Sequence, residues 1–139
     1  MGRARASLRG LGDTKEGRLT IMVIVGGFLL VATAFANVWL ANAADDQAKD
    51  IRAALRTELG VVTDEQIAAY PDSADAIAGV AVGALDEDGE PGRLVRIDRP
   101  DRDEVVVHVE ARMAWQRRCV EAELRGGGTV LTHAATGPC

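Results

Sequence analysis

Apolar residues follow three patterns along this chain, and each predicts a different element. From Leu19 to Leu40 they are nearly continuous: 22 residues carry no charge, and only Thr20, Thr33 and Asn37 are polar. As a helix rising about 1.5 Å per residue, such a run is roughly 33 Å long, enough for a hydrocarbon layer of about 30 Å. It predicts a transmembrane helix over residues 19–42. Beyond it, Ala44, Ala48, Ile51, Leu55 and Leu59 recur at spacings of 4, 3, 4 and 4. That is one apolar stripe, so the helix runs on as an amphipathic one, and Gly60 is placed to end it. Asp45 and Lys49 stand four apart with the acid first, the order that favours a surface ion pair. Thr63-Asp64-Glu65-Gln66 offers an N-cap with Gln three residues on, which predicts a short helix to about Tyr70, stopped by Pro71. Asp72 to Ala78 has room for another turn.

From Gly79 the period changes from helical to alternating. In Glu104 to Met113 the odd positions are Val105, Val107, Val109, Ala111 and Met113, while the even ones after Val106 are His108, Glu110 and Arg112. This is a strand with one buried face. Val120, Ala122 and Leu124 alternate with Glu121, Glu123 and Arg125 in the same way, and Gly126 to Gly128 separate them from Thr129 to Ala134, which reads as a hairpin. Val80 to Leu85 and Arg93 to Asp98 are further strand candidates, bounded by turns at Asp86 to Gly92 and Arg99 to Asp103. The fold class is therefore α+β: a long N-terminal transmembrane and amphipathic helix, then a small antiparallel sheet of four or five strands. Ile51, Leu55 and Leu59 are the natural cover for one sheet face.

Charge gives this layout a direction. The first 18 residues carry Arg3, Arg5, Arg9, Lys15 and Arg18 against Asp13 and Glu16, a net +3, whereas the chain from Asn42 onward is −8. Basic residues are retained on the cytoplasmic side. The reading is a cytoplasmic tail at 1–18, a membrane span at 19–42 and an extracytoplasmic α+β domain at 43–139, with Trp39 as an anchor at the outer interface. Gly26-Gly27 either admits a packing helix or is ordinary membrane glycine. A cleaved signal peptide is the competing reading, because Ala34-Phe35-Ala36 and Ala41-Asn42-Ala43 resemble peptidase sites, although 22 apolar residues exceed a signal core. Nucleic acid is excluded as a partner: the larger part is acidic and the tail lacks interleaved aromatics. On this topology Cys119 and Cys139 lie in an oxidising compartment, where a bridge would tie a thin core. Two free thiols and an intermolecular bridge are the alternatives.

Residue types suited to catalysis are few. Past the span the chain has one serine, Ser73, and two histidines, His108 and His133. Ser73 follows Pro71-Asp72 and reads as a helix N-cap rather than a nucleophile. The histidines could face each other on neighbouring strands as metal ligands, but no HxxxH or CxxC accompanies them, and exposed strand histidines are the plainer reading. Asp86-Glu87-Asp88-Gly89-Glu90 begins like a calcium loop but places Gly directly after the second Asp, as a solvated turn would. Asp98, Asp101 and Asp103 are interleaved by Arg99 and Arg102, which neutralise them. No enzyme, cofactor, metal or small-molecule substrate is expected.

The order of parts is a short basic tail, Lys15-Glu16-Gly17, a Thr-bearing apolar helix, an Ala-rich amphipathic helix and a sheet with C-terminal cysteines. It resembles the type IV pilin-like architecture. More closely, Ala41-Asn42-Ala43-Ala44-Asp45-Asp46-Gln47-Ala48 after the span and the Val-rich strands Val105–Val109 and Thr129–Ala135 resemble small TadE/TadG-like proteins of Tad (Flp) pilus systems. The resemblance implies a single-pass structural or assembly component of a pilus or secretion apparatus, partnered by the bilayer and by other membrane or pilus-type subunits. Prepilins usually carry Glu five residues after the processed glycine, where this chain has Met22, so processing after Gly17 and after Ala43 are both left open. A membrane-tethered module for an envelope ligand or partner protein is the alternative reading.

Overall fold

The computed structural model describes residues 15–87 and 92–139. Most of the basic tail and the Asp88–Glu90 part of the acidic turn lie outside the described residues. The elements are α1 (Lys15–Glu58), a 3-10 turn (Leu59–Val61), α2 (Asp64–Ala68), α3 (Ala74–Glu87), and strands β1 (Gly92–Asp101), β2 (Glu104–Met113), β3 (Gln116–Arg125) and β4 (Thr129–Thr136). The arrangement is α+β, a long helix followed by an antiparallel sheet in the order β1-β2-β3-β4. The chain divides into two compact units, Met1–Trp39 and Leu40–Cys139.

In the first unit, α1 is long and apolar enough to cross a membrane. Its large side chains point outward: Phe28, Leu30 and Phe35 are 73%, 74% and 74% exposed. Its hydroxyls are satisfied internally. Thr20 Oγ1 donates to the Glu16 carbonyl at 2.9 Å and Thr33 Oγ1 to that of Leu29 at 2.7 Å, the local bond a helical hydroxyl makes to the preceding turn. Around Gly26 and Gly27 the space a Cβ would take is open, and Trp39 is exposed.

In the second unit the predicted stripe of α1 is buried throughout, from Ala44 to Leu59. The α-helix stops at Glu58 and tightens into the 3-10 turn, so Gly60 lies within that turn instead of ending the helix. The expected Asp45–Lys49 pair is replaced. Lys49 Nζ meets Asp46 at 2.8 Å, whose carboxylate holds the ammonium above its ordinary pKa, while Asp45 is taken by Arg118 at 2.6 Å. At Thr63 the capping box forms in both directions: Gln66 N–H donates to Thr63 Oγ1 and Thr63 N–H to Gln66 Oε1.

Val80–Leu85 is a helix, not a strand. It belongs to α3, in which Ile77, Ala81, Ala84 and Leu85 are buried. These positions follow the 3.6-residue period and form one face. Val80 and Val82 alternate with small residues, a pattern that a buried helix face of Ala and Val also contains.

The sheet is a four-strand meander. Met113 pairs with Gln116 across a two-residue connection and Arg125 with Thr129 across the three glycines. β1 is an edge strand whose register shifts between Leu94 and Arg96 and again between Asp98 and Asp101. Pro100, which has no N–H to donate, sits inside the second shift, where an edge strand tolerates it. Val105, Val107, Val109, Val120, Ala122 and Leu124 pack with Ile51 and Leu55 of α1, with Leu59 of the 3-10 turn and with Ile77, Ala81 and Leu85 of α3. One sheet face is thus covered by both helices.

Gly92 stands where these layers meet. A Cβ there would lie 2.9 Å from Leu85 Cδ2 and 3.1 Å from both Ile51 Cδ1 and Val109 Cγ1. A single side-chain tip would rotate away, but three tips in one core cannot yield without displacing others. Gly92→Ala should therefore destabilise by about 1 to 3 kcal/mol, seen as a lower urea midpoint of the full chain in detergent. A midpoint equal to that of the parent protein would count against this packing.

Candidate functional site

The sheet face turned away from the helices carries the chain's remaining chemistry. Alternation places Glu104, Val106, His108 and Glu110 of β2 on it, with Cys119, Glu121 and Glu123 of β3 beside them. Val106 and His108 are nevertheless buried. The strand is covered on both faces along this stretch, so the expectation of an exposed His108 is overturned. His133 is exposed as expected. The two histidines do not face each other on neighbouring strands: Glu121 of β3 pairs with His108 on one side and His133 on the other.

His108 is held between carboxylates. Its Nε2 lies 3.1 Å from Asp98 Oδ2 of β1, itself 3.0 Å from Arg96 Nε. Glu121 Oε1 stands 3.3 Å from Nδ1 without meeting it along a hydrogen-bonding direction. Asp98, Glu104, Glu121 and Glu123 surround His108 and Val106 in a depression of about 480 Å³. Arg99 also lines the depression, and Arg125 partly offsets its acidity, with Glu123 at 3.1 Å and Glu104 at 3.7 Å. A concave face of this kind suits cations or a basic surface.

The expected neutralisation of Asp98, Asp101 and Asp103 by Arg99 and Arg102 takes a different form. Arg99 donates to the main-chain carbonyls of Tyr70, Asp101 and Arg102, so it ties the β1–β2 turn to the end of α2, and Arg96 and His108 meet Asp98 instead. Ser73 directly precedes α3, and its hydroxyl donates to the Gln66 carbonyl. Asp86 and Glu87 end α3, while the rest of the acidic turn lies outside the described residues.

Cys119 and Cys139 are joined within the chain, with Cα atoms 4.9 Å apart. Gly137 makes this reach possible. Its φ of +111° is a backbone conformation that side chains oppose, and its N–H donates to the Arg117 carbonyl at 3.0 Å, which returns the tail across β3. The bridge spans a separation of 20 residues, which in the loop-entropy model contributes about 3 kcal/mol. Replacing both cysteines with Ala should lower the urea midpoint of the full chain accordingly, and an unchanged midpoint would mean that the tail contributes nothing.

Two polar anchors dock α1 on the sheet, and neither is a pattern signal. Arg118, 6% exposed, donates to Asp45 Oδ1 at 2.6 Å and to the Ala41 carbonyl at 3.4 Å. Arg56 donates to Thr132 Oγ1 at 3.0 Å. Sequence reasoning also missed the pairing of His108 with the disulfide. The available signal was Val106, an apolar residue on the polar side of β2, which marks covered ground there. No family model matches the chain, and comparisons with curated proteins and with solved structures find no match to it.

Proposed function

We propose that this chain is a non-enzymatic, single-pass membrane component of a pilus or secretion apparatus, a structural or assembly subunit similar to minor pilins or TadE/TadG-like proteins. One observation carries the reading: an uncharged helical surface with Phe28, Leu30 and Phe35 turned outward stands ahead of a disulfide-tied α+β unit. Such a surface is stable only when covered by lipid or by other apolar helices. The basic residues before the span and the acidic balance after it support a cytoplasmic N-terminus and an exported sheet. The span packs beside related helices while the carboxylates of the outer sheet face meet basic surfaces of neighbouring subunits.

Purification from detergent extracts should recover the chain with pilus or secretion subunits, and photo-crosslinkers at Phe28 and Glu121 should capture the same ones. A clean monomer on sizing that crosslinks to none would overturn the proposal. The depression around His108 favours a second reading, a tethered module for an envelope ligand. Residues 43–139 expressed as a soluble monomer with ligand affinity of its own would support that module instead.

A further inference from the structure

The outer sheet face brings together three metal-ligating side chains that the proposed function does not use. His108, Cys119 and Cys139 each offer a ligand atom, and these atoms all lie within 4.8 Å of one another. The register explains the grouping. His108 pairs with Glu121 and Glu110 with Cys119, so His108 and Cys119 are diagonal cross-strand neighbours on one face, and the tail folded at Gly137 delivers Cys139 to the same spot. His108 and Cys119 are 6% and 5% exposed.

We propose that reduction of the Cys119–Cys139 bond converts this cluster into a Zn²⁺ site, with the two thiolates and His108 as ligands and Glu121 as the fourth donor. In the reducing step a dithiol donor supplies two electrons and two protons. Its thiolate attacks one sulfur, the Cys119–Cys139 bond breaks, and the donor leaves as its own disulfide. Binding of Zn²⁺ then displaces one proton from each thiol to solvent.

Zn–S bonds of about 2.3 Å in a tetrahedron put two sulfurs roughly 3.8 Å apart. With Cα atoms only 4.9 Å apart, side-chain rotation is enough to reach that separation. One imidazole nitrogen of His108 is already held as in a zinc-bound histidine. Asp98 occupies Nε2 at 3.1 Å and is itself braced by Arg96, the carboxylate support that zinc-bound imidazoles usually have. Nδ1 is left buried without a hydrogen bond. Glu121 Oε1 is 3.3 Å from it, close to the separation of two ligands on one zinc ion, about 3.3 Å for bonds near 2.05 Å. Two thiolates and an imidazole select zinc over calcium or magnesium, which take oxygen donors.

The inference does not rest on the assembly role, but the exported topology in that reading puts the bond in an oxidising compartment, so the site forms only where a dithiol donor reaches the exported sheet. The test uses the full chain in detergent, without a histidine tag, reduced with a phosphine and freed of it anaerobically. Zn²⁺ is titrated against a chromophoric chelator, and Co²⁺ serves as the spectroscopic probe. Expected are one zinc per reduced chain, no comparable binding to the oxidised chain, and intense near-ultraviolet sulfur-to-cobalt absorption. His108→Gln should weaken zinc binding at least tenfold, and Asp98→Asn, which keeps all the ligands, about 10- to 100-fold. A reduced chain with two titratable thiols and no sulfur-to-cobalt absorption would overturn the site. So would equal zinc affinity in the parent, His108→Gln and Asp98→Asn proteins.

Discussion

Leu55→Asp should leave the Leu40–Cys139 unit unfolded. Leu55 is fully buried on α1, in the core cluster that joins α1, α3 and the sheet. Truncation to Ala at such a site costs about 2 to 5 kcal/mol, and a carboxylate without a partner adds several more in desolvation. Domains of this size hold only about 5 to 15 kcal/mol in total, so the sum removes the folded state. Trypsin provides the readout. Arg93, Arg96, Arg112, Arg117 and Arg118 lie within strands, where pairing protects the main chain from cleavage. The variant in detergent should be cut rapidly at these sites, and a digestion pattern like the parent's would show that Leu55 is not where the layers join.

The second large effect concerns the apolar run. Leu29 and Leu30 lie at its middle, both exposed on α1. Replacing both with Arg should abolish stable membrane insertion. Each Arg at the centre of a span costs about 2.5 to 3.5 kcal/mol on insertion scales, so the pair costs about 5 to 7 kcal/mol. The parent chain should stay with membranes through alkaline carbonate extraction, and the double variant should be released or degraded. Retention of the double variant in the pellet would mean that this run is not what holds the chain in lipid.

The elements whose own periodicity is strong were legible without coordinates. The stripe from Ala44 to Leu59, the alternation of Glu104 to Met113 and the Thr63–Gln66 cap each repeat one local rule over several residues, and each appears where that rule puts it. Val80–Leu85 failed because six residues of Val, Ala, Gly and Leu satisfy both periods, and only the apposed sheet selects the helix in which Ile77, Ala81 and Leu85 share a face. Asp45 failed for a related reason. Its neighbour Lys49 is four residues away on the same helix, but Arg118, 73 positions further on, is buried against it and makes the closer contact.

What the amino-acid order determined by itself was the division of the chain: an uncharged run long enough for a bilayer, a basic flank before it, an acidic α+β portion after it, and two cysteines in that portion. These properties are sums over neighbouring residues, and neighbours are what a sequence records. Only the tertiary structure decided that His108 is buried between Asp98 and Glu121 and lies against the Cys119–Cys139 bond. That cluster joins β1, β2, β3 and the tail, and its distances depend on strand register and on the reversal at Gly137. Pairing across strands is set by the packing of the whole unit, so no local pattern announces it.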